Sequence, residues 1–322
     1  MRVRHAEHVM GTVVSFDVPE RVPLTPVLAW LHWVDARFSP YRAGSDVSRL
    51  ARRELTLEEC VPEMSHVVQM CSELSRKTSG YFTAHAGGRF DPCGYVKGWA
   101  IERACDMLTE AGSANHIVNG GGDIQCQGER APGRPWRLGI ADPLRRGLLA
   151  CVVTAPPGGF AIATSGPAER GVHIVDPIAG RTAAGLASIT ITGPRLALTD
   201  AYATAAFAMG PAARDWVESL DGYEAFAVTA DGDAGGPAEC AGWPERGASP
   251  AAAPPMSTPS GVHHVTRPAA RSQRLSAGPG PAPRLRRSTG PSPHLLQPAA
   301  GSRSLIICGS TRTGTRWTCC CR

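Results

Sequence analysis

Hydrophobic and polar positions alternate, or recur at helical spacing, along most of the first 230 residues. Val9 to Val18 reads as a strand closed by a turn at Pro19. Leu24 to Phe38 carries Val27, Leu28, Leu31, Val34 and Phe38 on one helical face. The segment Ser39 to Ser45 breaks that pattern and reads as a loop. Leu57 to Lys77 is a second amphipathic helix, with Val61, Met64, Val67, Val68, Cys71 and Leu74 as its stripe and Gly80 past its end. A glycine-bearing loop runs to Gly94, and a third helix is expected from Gly98 to Ala111. The pattern then turns to short runs bounded by Gly, Pro or Asp: 116–119, 124–127, 136–141, 148–154, 160–163, 172–175 and 188–192. Leu196 to Met209 and Pro211 to Leu220 read as helices, and Tyr223 to Ala230 as a last strand. Strands follow strands instead of alternating with helices. That order predicts an α+β fold with a mainly antiparallel sheet and flanking helices.

Composition divides the chain of 322 residues in two. Residues 234–322 hold 11 Arg, no Lys, two acidic residues and 13 of the 28 Pro, for a net charge of +9. Residues 1–233 therefore carry −4, and the basic balance of the whole chain gives no ground for a nucleic-acid partner of the body. Few large apolar residues occur in 234–322, so this stretch is expected to be a disordered tail behind a single domain at 1–233. No apolar run approaches the ~18 residues of a membrane span. The charged start Met1 to His8 has no apolar core of a signal peptide, which leads to the expectation of a cytoplasmic protein. The six cysteines of the body show no CxxC pair, which speaks against zinc and for buried thiols.

Four short constellations carry chemistry. Asp91-Pro-Cys-Gly94-Tyr-Val-Lys97-Gly98 precedes the expected third helix, where free backbone N–H groups and the helix dipole suit a phosphate. Lys97 is one of only two Lys in the chain, and a point-charge ammonium suits a phosphate. It is equally readable as a surface Lys in a first helical turn. Asn119-Gly-Gly-Gly-Asp123 permits close backbone approach, or is an ordinary hairpin turn. Ala163-Thr-Ser-Gly166 is followed by Arg170-Gly-Val-His173-Ile174-Val-Asp176-Pro177, a histidine in a strand between an Arg and an Asp; a lone histidine is more often structural. Asp200 and Thr204 share one helical face, a hard-oxygen pair suited to Mg²⁺, or else a dipole-favouring Asp and a back-bonded Thr.

The order of these pieces resembles the FAD:protein FMN transferase (ApbE) family. Met10-Gly11-Thr12, Phe38-Ser-Pro-Tyr41, Thr78-Ser-Gly-Tyr81-Phe82, Asp91 to Gly98, Asn119 to Asp123, Ala163 to Gly166, His173 to Pro177 and Asp200 to Thr204 follow one another as in that family. The resemblance covers about residues 9 to 230 and is most specific in Asp91-x-x-Gly94-x-x-Lys97-Gly98 combined with Asp200-x-x-x-Thr204. It implies Mg²⁺-dependent transfer of FMN from FAD to a Thr or Ser hydroxyl of an acceptor protein, with release of AMP. It places Mg²⁺ on Asp200, Thr204 and the carbonyl of Gly94, and FAD against Met10, Tyr41, Tyr81, Phe82, Thr83, Asp91, Lys97 and Ile174. It makes His173 the candidate base. Thr83 stands where the family usually has Asp. Many members are exported, whereas this chain shows no export signal. The family's last strand pairs with a further C-terminal segment; here the Arg- and Pro-rich tail takes its place, as an out-of-frame end would. The same residues would serve a Mg²⁺-dependent FAD pyrophosphatase. A non-enzymatic FAD-binding protein is the third reading, if the unusual C-terminus leaves the site unformed.

Overall fold

The strand expected from Val9 to Val18 begins at Thr12, and a further strand precedes it. In the computed structural model, which describes residues 1–85, 88–167, 174–230, 234–235 and 316–319, β1 (Arg2–Val9) and β2 (Thr12–Pro19) form a hairpin with Val9 opposite Thr12. The two-residue turn between them has φ of 53° at Met10 and 68° at Gly11. Positive φ at both central positions is the turn whose twist matches paired strands. Met is not a turn-forming residue, which is why the alternating pattern ran through it unbroken.

Helices α1 (Thr25–Phe38), α2 (Asp46–Ala51), α3 (Pro62–Lys77) and α4 (Cys93–Glu110) follow. The short α2 follows directly on the expected loop Ser39 to Ser45, in a stretch given no element from the sequence; Ser45 caps it by accepting the Ser48 N–H at 3.1 Å. Helix α3 starts at Pro62, five residues later than expected, because Pro fits a first turn. Helix α4 starts at Cys93, five residues earlier than expected. Asp91 Oδ1 accepts the Cys93 N–H at 3.0 Å, and Pro92 O accepts from both Tyr95 and Val96 at 2.9 Å. Lys97 and Gly98 therefore lie inside the helix and not ahead of it.

Next come β3 (His116–Gly120), β4 (Asp123–Gln127), β5 (Glu129–Ala131), β6 (Arg134–Pro135), β7 (Arg137–Ala141), β8 (Leu149–Thr154) and β9 (Gly159–Ser165). A two-residue hairpin, β10 (Val175–Asp176) and β11 (Arg181–Thr182), leads to β12 (Leu186–Gly193), α5 (Leu196–Met209), α6 (Ala213–Glu218) and β13 (Glu224–Thr229). The main sheet runs β1-β2-β3-β4-β9-β12-β13 and ends on β14 (Ala234–Gly235); its pairs are antiparallel throughout. A smaller sheet joins β7 and β8 to β15 (Arg316–Cys319). Two short segments of 234–322 pair with the body through backbone ladders. Backbone ladders ask little of composition, so a Pro-rich stretch can still supply six paired residues.

The period of two sorts the sheet's faces. Ile124, Cys126, Phe160 and Ile162 point to a core shared with Trp136, Leu138, Ile140 and Val153 of the smaller sheet region. Ala161 and Ala163 point the other way, into the larger core beneath α1, α4 and α5. Asp123 and Gln125, at odd positions of β4, belong by the same alternation to this helix-covered face. Small residues on strand and helix alike let α5 lie close to the sheet: Ala197, Ala201, Ala203, Ala205 and Ala206 are each under 5% exposed.

Candidate active site at a helix crossing

Helices α4 and α5 meet at Gly98. A Cβ there would fall 2.7 Å from Leu196 O, 3.0 Å from Asp200 Cβ and 3.1 Å from Ala197 Cα. Only a residue without a side chain permits this approach. A turn earlier on α4, a Cβ at Gly94 would lie 3.2 Å from the Phe82 ring and 4.0 Å from Thr204 Cγ2. The crossing therefore sets Gly94 beside Thr204, and Lys97 beside Asp200.

Lys97 Nζ lies 2.9 Å from Asp200 Oδ2 and forms a second ion pair with Asp123. All three side chains are nearly withdrawn from water, 14% exposed for Lys97 and 7% for each carboxylate. Asp123 is held in place from the sheet: its Oδ1 accepts the Thr164 N–H at 3.1 Å, and Thr164 Oγ1 shares a 2.8 Å hydrogen bond with Thr190. Asp200 Oδ2 differs. It is buried and receives no hydrogen bond among the described residues, since the Lys97 contact is an ion pair without hydrogen-bond alignment. A buried carboxylate oxygen in that condition is costly unless something completes it.

The start of α5 is pinned from outside. Its N-cap residue, Arg195, supplies no capping side chain. Instead Gln125 Oε1 accepts the Leu196 N–H at 2.8 Å, and Glu102 Oε2 accepts the Ala197 N–H at 3.0 Å. Glu102 Oε1 also takes the Arg195 guanidinium. These contacts fix the register of α5 one turn before Asp200. A groove of about 260 Å³ opens on this side of α4, between His66, Tyr95, Trp99, Glu102, Arg195 and Leu198. Burial, with Glu102 adding to it, holds the Tyr95 phenol protonated well above its ordinary range. Below Asp91, burial with a smaller contribution from that carboxylate pushes the Cys71 thiol up to about 12, so it stays an inert thiol.

Of the other expected residues, Phe82 lies against the first turn of α4. Phe82 is 2% exposed; its ring is the floor under Gly94, and its N–H is donated to Thr78 Oγ1 at 2.9 Å. Tyr81 and Ile174 pack half-buried against the larger core, and Met10 does so from its strained turn. Thr83 Oγ1 accepts the His85 N–H at 3.1 Å. Tyr41 is 90% exposed on the loop after α1. His173 lies outside the described residues. Sequence reasoning left out Asp123 as a member of the cluster, and Glu102 and Gln125 as its supports. The glycine run before Asp123 was the available signal; nothing local marks the other two.

The order of motifs and the crossing that unites them find a match in one family. Residues 10–89 and 83–227 match the ApbE family. The chain belongs to the ApbE family. Among curated relatives, a FAD:protein FMN transferase of Rhodobacter capsulatus is 38% identical over 130 residues, 38% of this chain and 24% of that protein. A FAD:protein FMN transferase of Vibrio cholerae is 34% identical over 126 residues, 36% of this chain and 37% of that protein. The matched stretch thus spans well under half the length of these relatives. The ApbE fold is shared with the flavin transferase ApbE from Vibrio cholerae, with a TM-score of 0.64 at 22% identity over 73% of this chain and 97% of that one. The ApbE protein of Thermotoga maritima gives a TM-score of 0.64 at 21% identity over 73% of this chain and 96% of that one. Among the described residues no helix is long and apolar enough to cross a membrane.

Proposed function

We propose that this protein transfers FMN from FAD to a Thr or Ser hydroxyl of an acceptor protein, releasing AMP, and that it does so with Mg²⁺. The observation that carries the reading is the α4/α5 crossing, which brings Lys97, Asp200 and Asp123 into one buried cluster with Gly94 and Thr204 a turn away. The curated relatives' shared name supports the reaction type.

The donor set fits a hard divalent cation. Among the described residues no three His, Cys, Asp or Glu side chains group as a metal site. The set is instead one carboxylate with an uncompleted buried oxygen, a nearby hydroxyl and a backbone carbonyl. Mg²⁺ is commonly held by one or two carboxylates plus substrate phosphate and water, and not by an all-protein cage. Asp200, Thr204 and the Gly94 carbonyl would hold it. When bound, it supplies Lewis-acid stabilisation of pyrophosphate oxygens.

The chain's own residues do the rest. The acceptor hydroxyl oxygen attacks the phosphorus on the FMN side of the pyrophosphate. The bond from that phosphorus to the bridging oxygen breaks, and AMP leaves with that oxygen. Lys97 offers its ammonium to the charge that develops on the departing phosphate. His173 is assigned the hydroxyl proton, because its ordinary pKa lies nearest neutrality. Met10, Tyr41, Tyr81, Phe82, Thr83, Asp91 and Ile174 line or support the FAD-binding side.

The test is incubation with FAD, Mg²⁺ and a candidate acceptor, read by in-gel flavin fluorescence and by chromatography of AMP and FMN. Wild type is expected to label the acceptor with release of AMP, and Asp200→Ala to lose labelling while still binding FAD. Equal amounts of free FMN and AMP without labelled protein would favour the pyrophosphatase reading. Full activity of Asp200→Ala at ordinary Mg²⁺ would refute the metal assignment.

A further inference from the structure

Lys97 sits where two of its roles conflict. As a phosphate-binding ammonium it must face the substrate, yet here both of its charge partners are carboxylates of the protein. One of them, Asp200, is the carboxylate that the reading above gives to the metal. We infer that Lys97 is a built-in counter-ion that holds Asp200 against cations in the FAD-free protein, and that the pyrophosphate of FAD releases it. Divalent cation and FAD then bind with strong positive coupling, and Lys97 supplies a share of it beyond the direct contact of metal with phosphate. This inference rests on the metal reading of Asp200.

The charge arithmetic carries it. Lys97, Asp123 and Asp200 together amount to −1, in a cluster nearly closed to water. A divalent cation on Asp200 turns that to +1, with an ammonium as its immediate neighbour. Like charges at such range repel far more strongly here than in bulk water, because burial lowers the local dielectric. A pyrophosphate brings about two negative charges. It offers the ammonium a new partner and leaves Asp200 Oδ2 for the metal. Asp123 steadies Lys97 during the exchange, which the pyrophosphate and not Asp123 drives. Its Oδ1 is fixed by the Thr164 N–H, so its other oxygen anchors Lys97 on the sheet side while Lys97 leaves Asp200. The geometry of Asp200 Oδ2 agrees: it is paired by charge but accepts no hydrogen bond, which is the weaker of the two contacts to give up.

The experiment titrates Mn²⁺ as the metal probe into the purified full chain, following the free-ion signal by electron paramagnetic resonance. It is done with and without saturating FAD, in the absence of acceptor, with flavin integrity checked by chromatography. Wild type is expected to bind Mn²⁺ at least about tenfold tighter when FAD is present, within the 5–150-fold range of ordinary coupling. Lys97→Gln is expected to bind Mn²⁺ about tenfold tighter than wild type without FAD, and to show a smaller FAD-dependence than wild type. Asp123→Asn keeps Lys97 and leans it on Asp200 alone, so FAD-free Mn²⁺ binding should weaken while coupling to FAD persists. Unchanged or weaker FAD-free Mn²⁺ binding in Lys97→Gln would overturn the inference. So would loss of coupling in Asp123→Asn, which serves as the deciding variant should Lys97→Gln fail to fold. Asp200→Asn should lose Mn²⁺ binding in both conditions. Wild-type binding by that variant would instead bring down the metal reading on which the inference stands.

Discussion

Gly98→Ala tests whether the helix crossing builds the site. The new methyl would meet Leu196 O at 2.7 Å, Asp200 Cβ at 3.0 Å and Ala197 Cα at 3.1 Å. Two of the three are main-chain atoms of α5 and cannot rotate away, so the helices must separate by several tenths of an ångström. Overpacking of this kind costs about 1–3 kcal/mol, and rigid partners put it in the upper half of that range. Ala returns about 1 kcal/mol through helix propensity. The net loss is then roughly 1–2 kcal/mol, a fall of about 2–8 °C in melting temperature for a domain of this size. Activity should suffer more than stability, because Asp200 is itself one of the atoms pushed, and small misplacements in a site can cost up to about 10²-fold in rate. The control is Gly112→Ala. Gly112 follows α4 with φ of 87° and has nothing near its Cβ position, so Ala there pays about 1–2 kcal/mol of backbone strain without touching the crossing. Single-turnover transfer and thermal unfolding on both variants decide the matter. Gly98→Ala should lose at least about tenfold in rate and Gly112→Ala almost none, at similar melting temperatures. A raised melting temperature with full activity in Gly98→Ala would refute the close crossing. Equal rate losses in the two variants would show that activity follows general stability and not the position of Asp200.

Two further outcomes follow from buried polar groups other than Asp200 and Thr204. Glu102→Ala should destabilise by about 1–2 kcal/mol, the usual cost of losing a helix cap, and slow transfer, whereas Glu102→Gln, which keeps an acceptor for the Ala197 N–H, should recover most of both; urea unfolding and transfer rates on the pair check this. His116 is fully buried between Ser113 and Cys105, and burial lowers its pKa to about 4. The unfolded chain takes up its proton below pH ~6.5, so this residue's contribution to stability is full above that value and is lost as pH falls towards 4, by about 3 kcal/mol in total. Urea midpoints between pH 7 and 4 should fall more steeply for wild type than for His116→Asn; parallel curves would show that His116 is not the titrating group.

Which features were legible in the sequence depended on how local their causes are. The stripe of α3 and the alanine-rich α5 announced themselves by period, and α5 begins and ends where the pattern says. The start of α4 was misplaced because Gly94 and Gly98 argue against a helix by propensity. The structure spends one of them on contact with Phe82 and the other on contact with α5, and Asp91 provides the cap. The pair Asp200 and Thr204 was readable because four residues on a helix fix a common face. The partnership of Lys97 with Asp123 was not, because it joins α4 to a strand 26 residues on through the sheet. Glu102 and Gln125 were invisible for the same reason: each caps α5 from more than 70 residues away.

The glycine run Asn119 to Asp123 is a hairpin turn, and it ends on the carboxylate that pairs with Lys97. Gly121 and Gly122 have φ of 64° and 100°, so this is a two-residue turn of the same kind as Met10-Gly11. The two turns are neighbours. Gly121 N–H is donated to Val13 O at 3.2 Å, and a Cβ on Gly121 would fall 2.6 Å from Thr12 Oγ1. At Gly120 a Cβ would fall 2.3 Å from Ile101 Cδ1, so this glycine lets α4 press on the hairpin. Pressing α4 there is what brings Lys97, one turn before Ile101, against Asp123, the first residue after the turn. The turn residues therefore act through packing: they set the place of Asp123 against Lys97. They close a hairpin whose next residue is a carboxylate, at a place where the helix carrying the ammonium reaches it.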